Sequence, residues 1–263
     1  DEIFGRSRSA TAPEVLLATV GFGFQIYGDF SGYSDIAAGL GRLFGIELSR
    51  NFAFPYFARS LPEFWRRWHI SLSSWFRDYV YIPLGGNRGR PAETARNLLF
   101  TLLLSGLWHG AAWHFVAWGA WHGLGLAAAP AWRTRRPGPG PRGEALGREL
   151  PAMLGTWAFV TAGWVWFRAA DLGEALHLFR ILLLGWADPG VVRTTVLLLR
   201  QHAPGLLGTV LLLAVEWAGR QRWDPIPWER LPRPARWAGY TAAFWLLLAL
   251  GTRRTAEFIY FQF

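Results

Sequence analysis

Long apolar runs alternate with short polar stretches along nearly the whole chain, and their lengths suit helices better than strands. A membrane-crossing helix needs about 20 largely apolar residues. Residues 15–30 form the first candidate, ending in the polar YGDFSGYSD. The run 36–46 is shorter and holds Gly39, Gly41, Gly45 and Arg42, which predicts a separate buried or re-entrant piece. Between 97 and 132 no Asp, Glu, Lys or Arg occurs, a length that suits two short crossings or one long tilted one, and Gly106 and Gly110 favour a break near His109 and thus a hairpin within 98–130. Residues 151–167, 204–219 and 237–251 read as further spans, and 172–186 as a helix of mixed character.

The stretch 61–82, LPEFWRRWHISLSSWFRDYVYI, differs in kind. Trp65, Trp68, Leu72, Trp75, Phe76 and Tyr79 recur at steps of three and four, while Arg66, Arg67, Arg77 and Asp78 fill much of the remainder. This spacing predicts one amphipathic helix lying along the membrane surface. Pro62 suits its first turn, and Pro83 with Gly85 and Gly86 would end it.

Composition supports a membrane setting. Hydrophobic residues make up 52% and charged residues 17% of the 263, against about 25% charged in soluble domains. The 17 tryptophans suit the membrane–water boundary. Net charge is +9, but the arginines cluster between apolar runs, in GGNRGRPAETAR, WRTRRPGPGPRGEALGRE and GRQRWDPIPWERLPRPARW. That is the pattern of cytoplasmic loops beside a lipid bilayer rather than of a nucleic-acid surface. If all three stretches are cytoplasmic, an even number of crossings must separate them, which the hairpin and the pair 151–167 and 204–219 satisfy, and the C-terminal TRRTAEFIYFQF then falls on the far side despite Arg253 and Arg254. The reading is thus one membrane domain over 1–263 with a basic Pro/Gly-rich loop at 133–150. A polar start without Met reads as the continuation of a longer protein, and the absence of Cys excludes disulfides and thiolate metal sites.

The candidate chemistry sits in LWHGAAWHFVAWGAWHG, which places His109, His114 and His122 among apolar residues. Imidazole nitrogens need partners wherever water is absent, and ionisable residues at membrane depth mark function by default. Gly110 lets another backbone or a substrate approach His109, which is favoured for function, whereas His114 and His122 read as structural. Haem ligation by His109 and His122 is disfavoured, because thirteen positions do not return to one helix face. From spacing alone His69 reads as an interfacial ring, and Arg66, Arg67 and Arg77 as headgroup partners or, more sharply, as a phosphate-binding set. Asp29 and Asp35 could cap a following helix or line a polar cavity, and Glu216 is a lone acid in an apolar run. PLGGNRGR lacks the Lys-Ser/Thr ending of a P-loop.

The succession YGDFSGYSDIAAGLGRLFG, LPEFWRRWHISLSSWFRDYVYIPLGGNRG, LLSGLWHGAAWHFVAWGAWHG, GWVWFRAADLGEAL and FIYFQF closely resembles the membrane-bound O-acyltransferase (MBOAT) family, in particular its alginate O-acetylation branch. The resemblance implies an all-α, polytopic fold with a helical core crossed by a tunnel and with amphipathic interfacial helices. It puts the family's histidine on His109 of LWHG and its second polar position on His69 of WRRWH. It also implies an acyl-thioester donor, acetyl-CoA, reached from the cytoplasm, with no bound cofactor or metal. Periplasmic acetyltransferase partner proteins would pass the acetyl group to an exported polysaccharide, from a multi-pass protein of the bacterial inner membrane. In this reading His109 is the general base, or alternatively carries the acetyl group itself, and His69 orients the donor or polarises its carbonyl. Arg66, Arg67, Arg77, Asp78, Trp108, Asp29 and Asp35 are the candidate donor-binding residues. The alternative class is a transporter or channel subunit with a histidine proton relay. The resemblance also implies further membrane helices before YGDFSGYSD, and activity is expected to require them.

Overall fold

A computed structural model describes residues 2–134, 146–219 and 231–250, and among them all regular structure is helical. The helices are α1 Glu2–Gly5, α2 Ala12–Leu43, α3 Leu61–Trp65, α4 Ile70–Phe76, α5 Pro91–His109, α6 Trp113–Thr134, α7 Leu146–Arg168, α8 Leu172–Leu184, α9 Val191–Gln201, α10 Ala203–Gly219 and α11 Arg233–Leu250. Residues 1–207 form one compact unit and 208–263 a second.

In the first unit, α2 starts at a reciprocal cap. The Glu14 carboxylate accepts from the Thr11 N–H and hydroxyl, both at 2.8 Å, and Pro13 stands in the first turn. The helix then runs 32 residues, about 48 Å at 1.5 Å per residue, and stops where Gly45 turns left-handed at φ 74°. The separate piece expected at 36–46 is therefore the end of α2. The polar YGDFSGYSD is carried on the helix because Gly28 and Gly32 meet open space and cost only their own propensity. Asp29 and Asp35, expected as possible caps, are exposed residues inside α2.

The expected hairpin is present as α5 and α6, broken at Gly110–Ala112. Pro91 opens α5, and the Glu93 carboxylate accepts from the Arg90 N–H at 2.8 Å. Glycine brings the two backbones into contact: a methyl at Gly106 would overlap the Phe115 carbonyl, and one at Gly119 the Leu102 carbonyl. α7 packs on α2 and α6 through the buried Trp164, Val165 and Phe167.

The stretch 61–82 is where pattern and structure differ most. Instead of one helix it forms α3, a turn over 66–69, α4, and a widened π turn at Arg77–Tyr81. His69 adopts φ 42°, ψ 56°, a left-handed conformation that a right-handed helix cannot contain. The apolar periodicity survives the break because Trp68 and Phe76 are buried on either side of it.

Past α7, the Asp171 side chain caps α8 by accepting from the Glu174 N–H at 2.8 Å. α8 continues through a short 3-10 turn, Gly185–Ala187, and the chain then bends by 115° into α9, a helix the hydrophobic pattern did not announce. Glu149–Arg168 of α7 is the one described helix long and apolar enough to cross a membrane, or one of two if the bent α8–α9 pair is counted as a span. The second unit holds most of α10, a shorter apolar helix, together with α11. These two match the expected runs 204–219 and 237–251 in place. The loops at 133–150 and 219–236 and the C-terminal FIYFQF lie largely outside the described residues.

Candidate functional site

The site is assembled from three pieces of chain, beginning with the turn that carries His69. Its left-handed backbone is braced by the extended segment before α3. The Ile70 N–H donates to the Asn51 carbonyl at 3.0 Å, and the Ala53 N–H donates to the Arg67 carbonyl at 3.0 Å. The Asn51 side-chain oxygen accepts from the Ser71 N–H at 3.1 Å and the Ser71 hydroxyl at 2.6 Å. The His69 carbonyl opens α4 by accepting from Ser73 N–H at 2.9 Å. Held this way, the imidazole stands edge-on to Phe30 of α2, ring centroids 4.6 Å apart.

His109 is the last residue of α5. Gly110 follows in extended backbone, so the chain leaves the helix as the ring projects from its end. Its walls are the buried Phe167 (4.9 Å, 79°) and Trp118 (5.2 Å, 85°), both edge-on. Trp108 joins the two histidines, with its ring 5.0 Å from His109 and 6.4 Å from His69, while 56% of its surface stays exposed. The histidines, 40 positions apart in sequence, thus share one neighbour.

The remaining histidines of the motif divide from these by their bonding. His114 is buried, and its Nδ1 lies 3.1 Å from the Trp166 carbonyl, so it ties α6 to α7. His122 is 1% exposed, sealed among Phe64, Trp65, Trp118 and Phe159. Among the described residues His69 and His109 have no hydrogen-bond partner, and their nitrogens are not among the sealed polar atoms. A ring with a free nitrogen, apolar walls and one open edge can accept a proton from a hydroxyl brought against it.

The polar candidates are gathered less completely. Arg67 donates to Glu63 at 2.6 Å and to the Phe54 carbonyl at 3.4 Å. Glu63 also takes Arg59, which reaches Glu149 of α7 at 2.9 Å, so this network fastens α3 in place. Arg77 and Asp78 are exposed and bond each other at 2.7 and 3.0 Å, and the hydrogen bonds from Arg77 hold the Asp78 carboxyl below its ordinary value. Arg66 is exposed and makes no ion pair among the described residues. Of the YGDFSGYSD stretch, Phe30 touches His69, while Asp29 and Asp35 occupy exposed positions of α2. Sequence reasoning named Trp108 but missed Trp118, Phe167 and Asn51. No local pattern separates those two aromatics from core residues or that amide from an ordinary loop position.

Comparison with known proteins gives a consistent result. Residues 15–142, which include both histidines, match the model of the membrane-bound O-acyltransferase family. The chain is 46% identical over 181 residues to the probable alginate O-acetylase AlgI of Azotobacter vinelandii, covering 68% of this chain and 34% of that protein. It is 40% identical over 179 residues to the peptidoglycan O-acetyltransferase of Helicobacter pylori, covering 67% and 33%. It is 37% identical over 124 residues to the teichoic acid D-alanyltransferase of Streptococcus thermophilus, covering 44% and 29%. The chain therefore spans about a third of the length of the curated relatives it matches.

Proposed function

Residues 15–142 belong to the membrane-bound O-acyltransferase family, and on that premise we propose that the protein transfers an acyl group from a thioester to a hydroxyl at the His69–His109 site. The acceptor oxygen attacks the acyl carbonyl carbon while the free nitrogen of His109 takes the hydroxyl proton. The carbon–sulfur bond then breaks, and the leaving thiolate takes that proton back from the imidazolium. His69, on the other side of Trp108, orients the donor or polarises its carbonyl. The supporting observation is the pairing itself: two histidines distant in sequence meet on one half-open tryptophan, neither with a hydrogen-bond partner among the described residues, while their neighbours His114 and His122 are bonded or sealed.

The acyl group in this proposal is acetyl. Similarity to the probable alginate O-acetylase and the peptidoglycan O-acetyltransferase is higher and covers more of this chain than similarity to the D-alanyltransferase. Acetyl-CoA is then the donor, reached from the cytoplasm, and an exported polysaccharide is the final acceptor, served by periplasmic acetyltransferase partners from a multi-pass protein of the inner membrane. Arg66, exposed on the turn that carries His69 and without an ion pair among the described residues, is the arginine proposed to meet the donor phosphates. Membranes carrying the protein should consume radiolabelled acetyl-CoA and label polysaccharide. An intact thioester at matched expression would overturn the proposal and favour a transport role for the histidines.

A further inference from the structure

We infer that Asn51 is a positioning residue for the reaction, holding His69 in its left-handed turn and anchoring that turn to α2. The inference rests on the reading of His69 and His109 as the acyl-transfer site. His69 is one of two described non-glycine residues with positive φ, and the other, Phe54, lies in the segment that braces it. A side chain at such a position stays there only where its surroundings over-determine the backbone.

Asn51 supplies most of that determination. Its carbonyl accepts from Ile70 N–H at 3.0 Å, immediately after the histidine. Its side-chain oxygen accepts twice from Ser71, at 3.1 and 2.6 Å, one residue further on. Its amide nitrogen reaches the Ser34 hydroxyl of α2 at 3.4 Å. Phe52, the next residue, packs edge-on against Phe30 at 5.0 Å and Trp68 at 5.1 Å, and Phe30 is the ring that faces His69. A single side chain thus links the backbone after His69 to the helix that presents the ring's aromatic wall. Asn is suited to the task because one amide offers an acceptor with two lone pairs and a donor pointing the other way.

The test is Asn51→Ala in membranes carrying the protein, with kcat and KM for acetyl-CoA measured per unit of folded protein. Misplacing a reacting group by about 1 Å costs on the order of 100-fold. The expectation is therefore a fall in kcat of roughly 10- to 100-fold with KM little changed, and a smaller fall in Asn51→Asp, which keeps the acceptor for Ser71 but gives up the amide donor to Ser34. A kcat within about twofold of wild type would overturn the inference. A purely structural Asn51 would lower the amount of folded protein and leave kcat per folded molecule unchanged, which also overturns it. Should Asn51→Ala not fold, Ser71→Ala removes only the hydroxyl bond: a smaller fall in kcat at constant KM supports the inference, and wild-type kcat counts against it. Failure of the underlying site reading shows separately, as His109→Gln retaining wild-type transfer.

Discussion

At the scale of single residues, the proposed chemistry turns on which nitrogens are left unbonded among the described residues. His109→Gln keeps a hydrogen-bonding side chain of similar reach but no basic nitrogen. A lost general base costs about 10² to 10⁴ in rate, whereas an interhelical hydrogen bond in a membrane averages about 0.6 kcal/mol. Acetyl transfer should therefore fall by at least two orders of magnitude while expression and insertion hold, measured as labelled polysaccharide at equal protein. Near-normal transfer would return His109 to packing. His69 responds differently because its backbone is left-handed. Asn tolerates that conformation better than Ala does, so His69→Asn should retain more folded protein than His69→Ala, by about 1 kcal/mol in a detergent melt. The reverse order would contradict the left-handed turn. LWHG was legible in the sequence as a candidate site, whereas WRRWH became a candidate only through the family resemblance. The left-handed turn and the Asn51 clamp were not legible, since they depend on hydrogen bonds between segments that no local pattern records.

At the scale of elements, the sequence announced helices through apolar run length and the hairpin break through Gly110, and both hold. It misjudged α2, because polarity in YGDFSGYSD looked like an ending where no residue there blocks a helix. It also misjudged 61–82, because an apolar stripe persists across a backbone break. The close packing of α5 on α6 gives a further test. Gly119→Ala would place its methyl against the Leu102 carbonyl, whereas Gly155 of α7 has nothing within 4 Å of such a methyl. Overpacking costs typically 1–3 kcal/mol, and relief of a helical glycine gains up to about 1 kcal/mol. Gly119→Ala should lower the melting temperature in detergent and Gly155→Ala should hold or raise it. Equal behaviour of the two would mean that α5 and α6 are not in backbone contact.

At the scale of the whole molecule, the question is what covers the apolar surface that the described helices leave outward. In α10, Leu207, Val210 and Leu211 are 57–61% exposed, and in α11, Phe244, Trp245 and Leu246 are 57–62% exposed. Each fully buried side chain of this kind is worth about 1.5–3 kcal/mol out of water, so a row of them facing solvent would be a strong drive to associate. α10, at 17 residues, is about 26 Å long, close to the roughly 30 Å of a hydrocarbon core. Both faces are therefore expected to lie out of water in the membrane. Exposed Arg193 and Arg200 of α9, past the 115° bend, are expected at its polar boundary. The chain has no cysteine of its own, so single replacements report cleanly. A Cys at Leu211 or Leu246 should resist an impermeant maleimide in sealed or broken membranes and react once the protein is solubilised and unfolded, while a Cys at Arg193 should react in broken membranes without unfolding. Rapid labelling at Leu211 and Leu246 in native membranes would show that these faces meet water, and the membrane reading of both helices would fall with it.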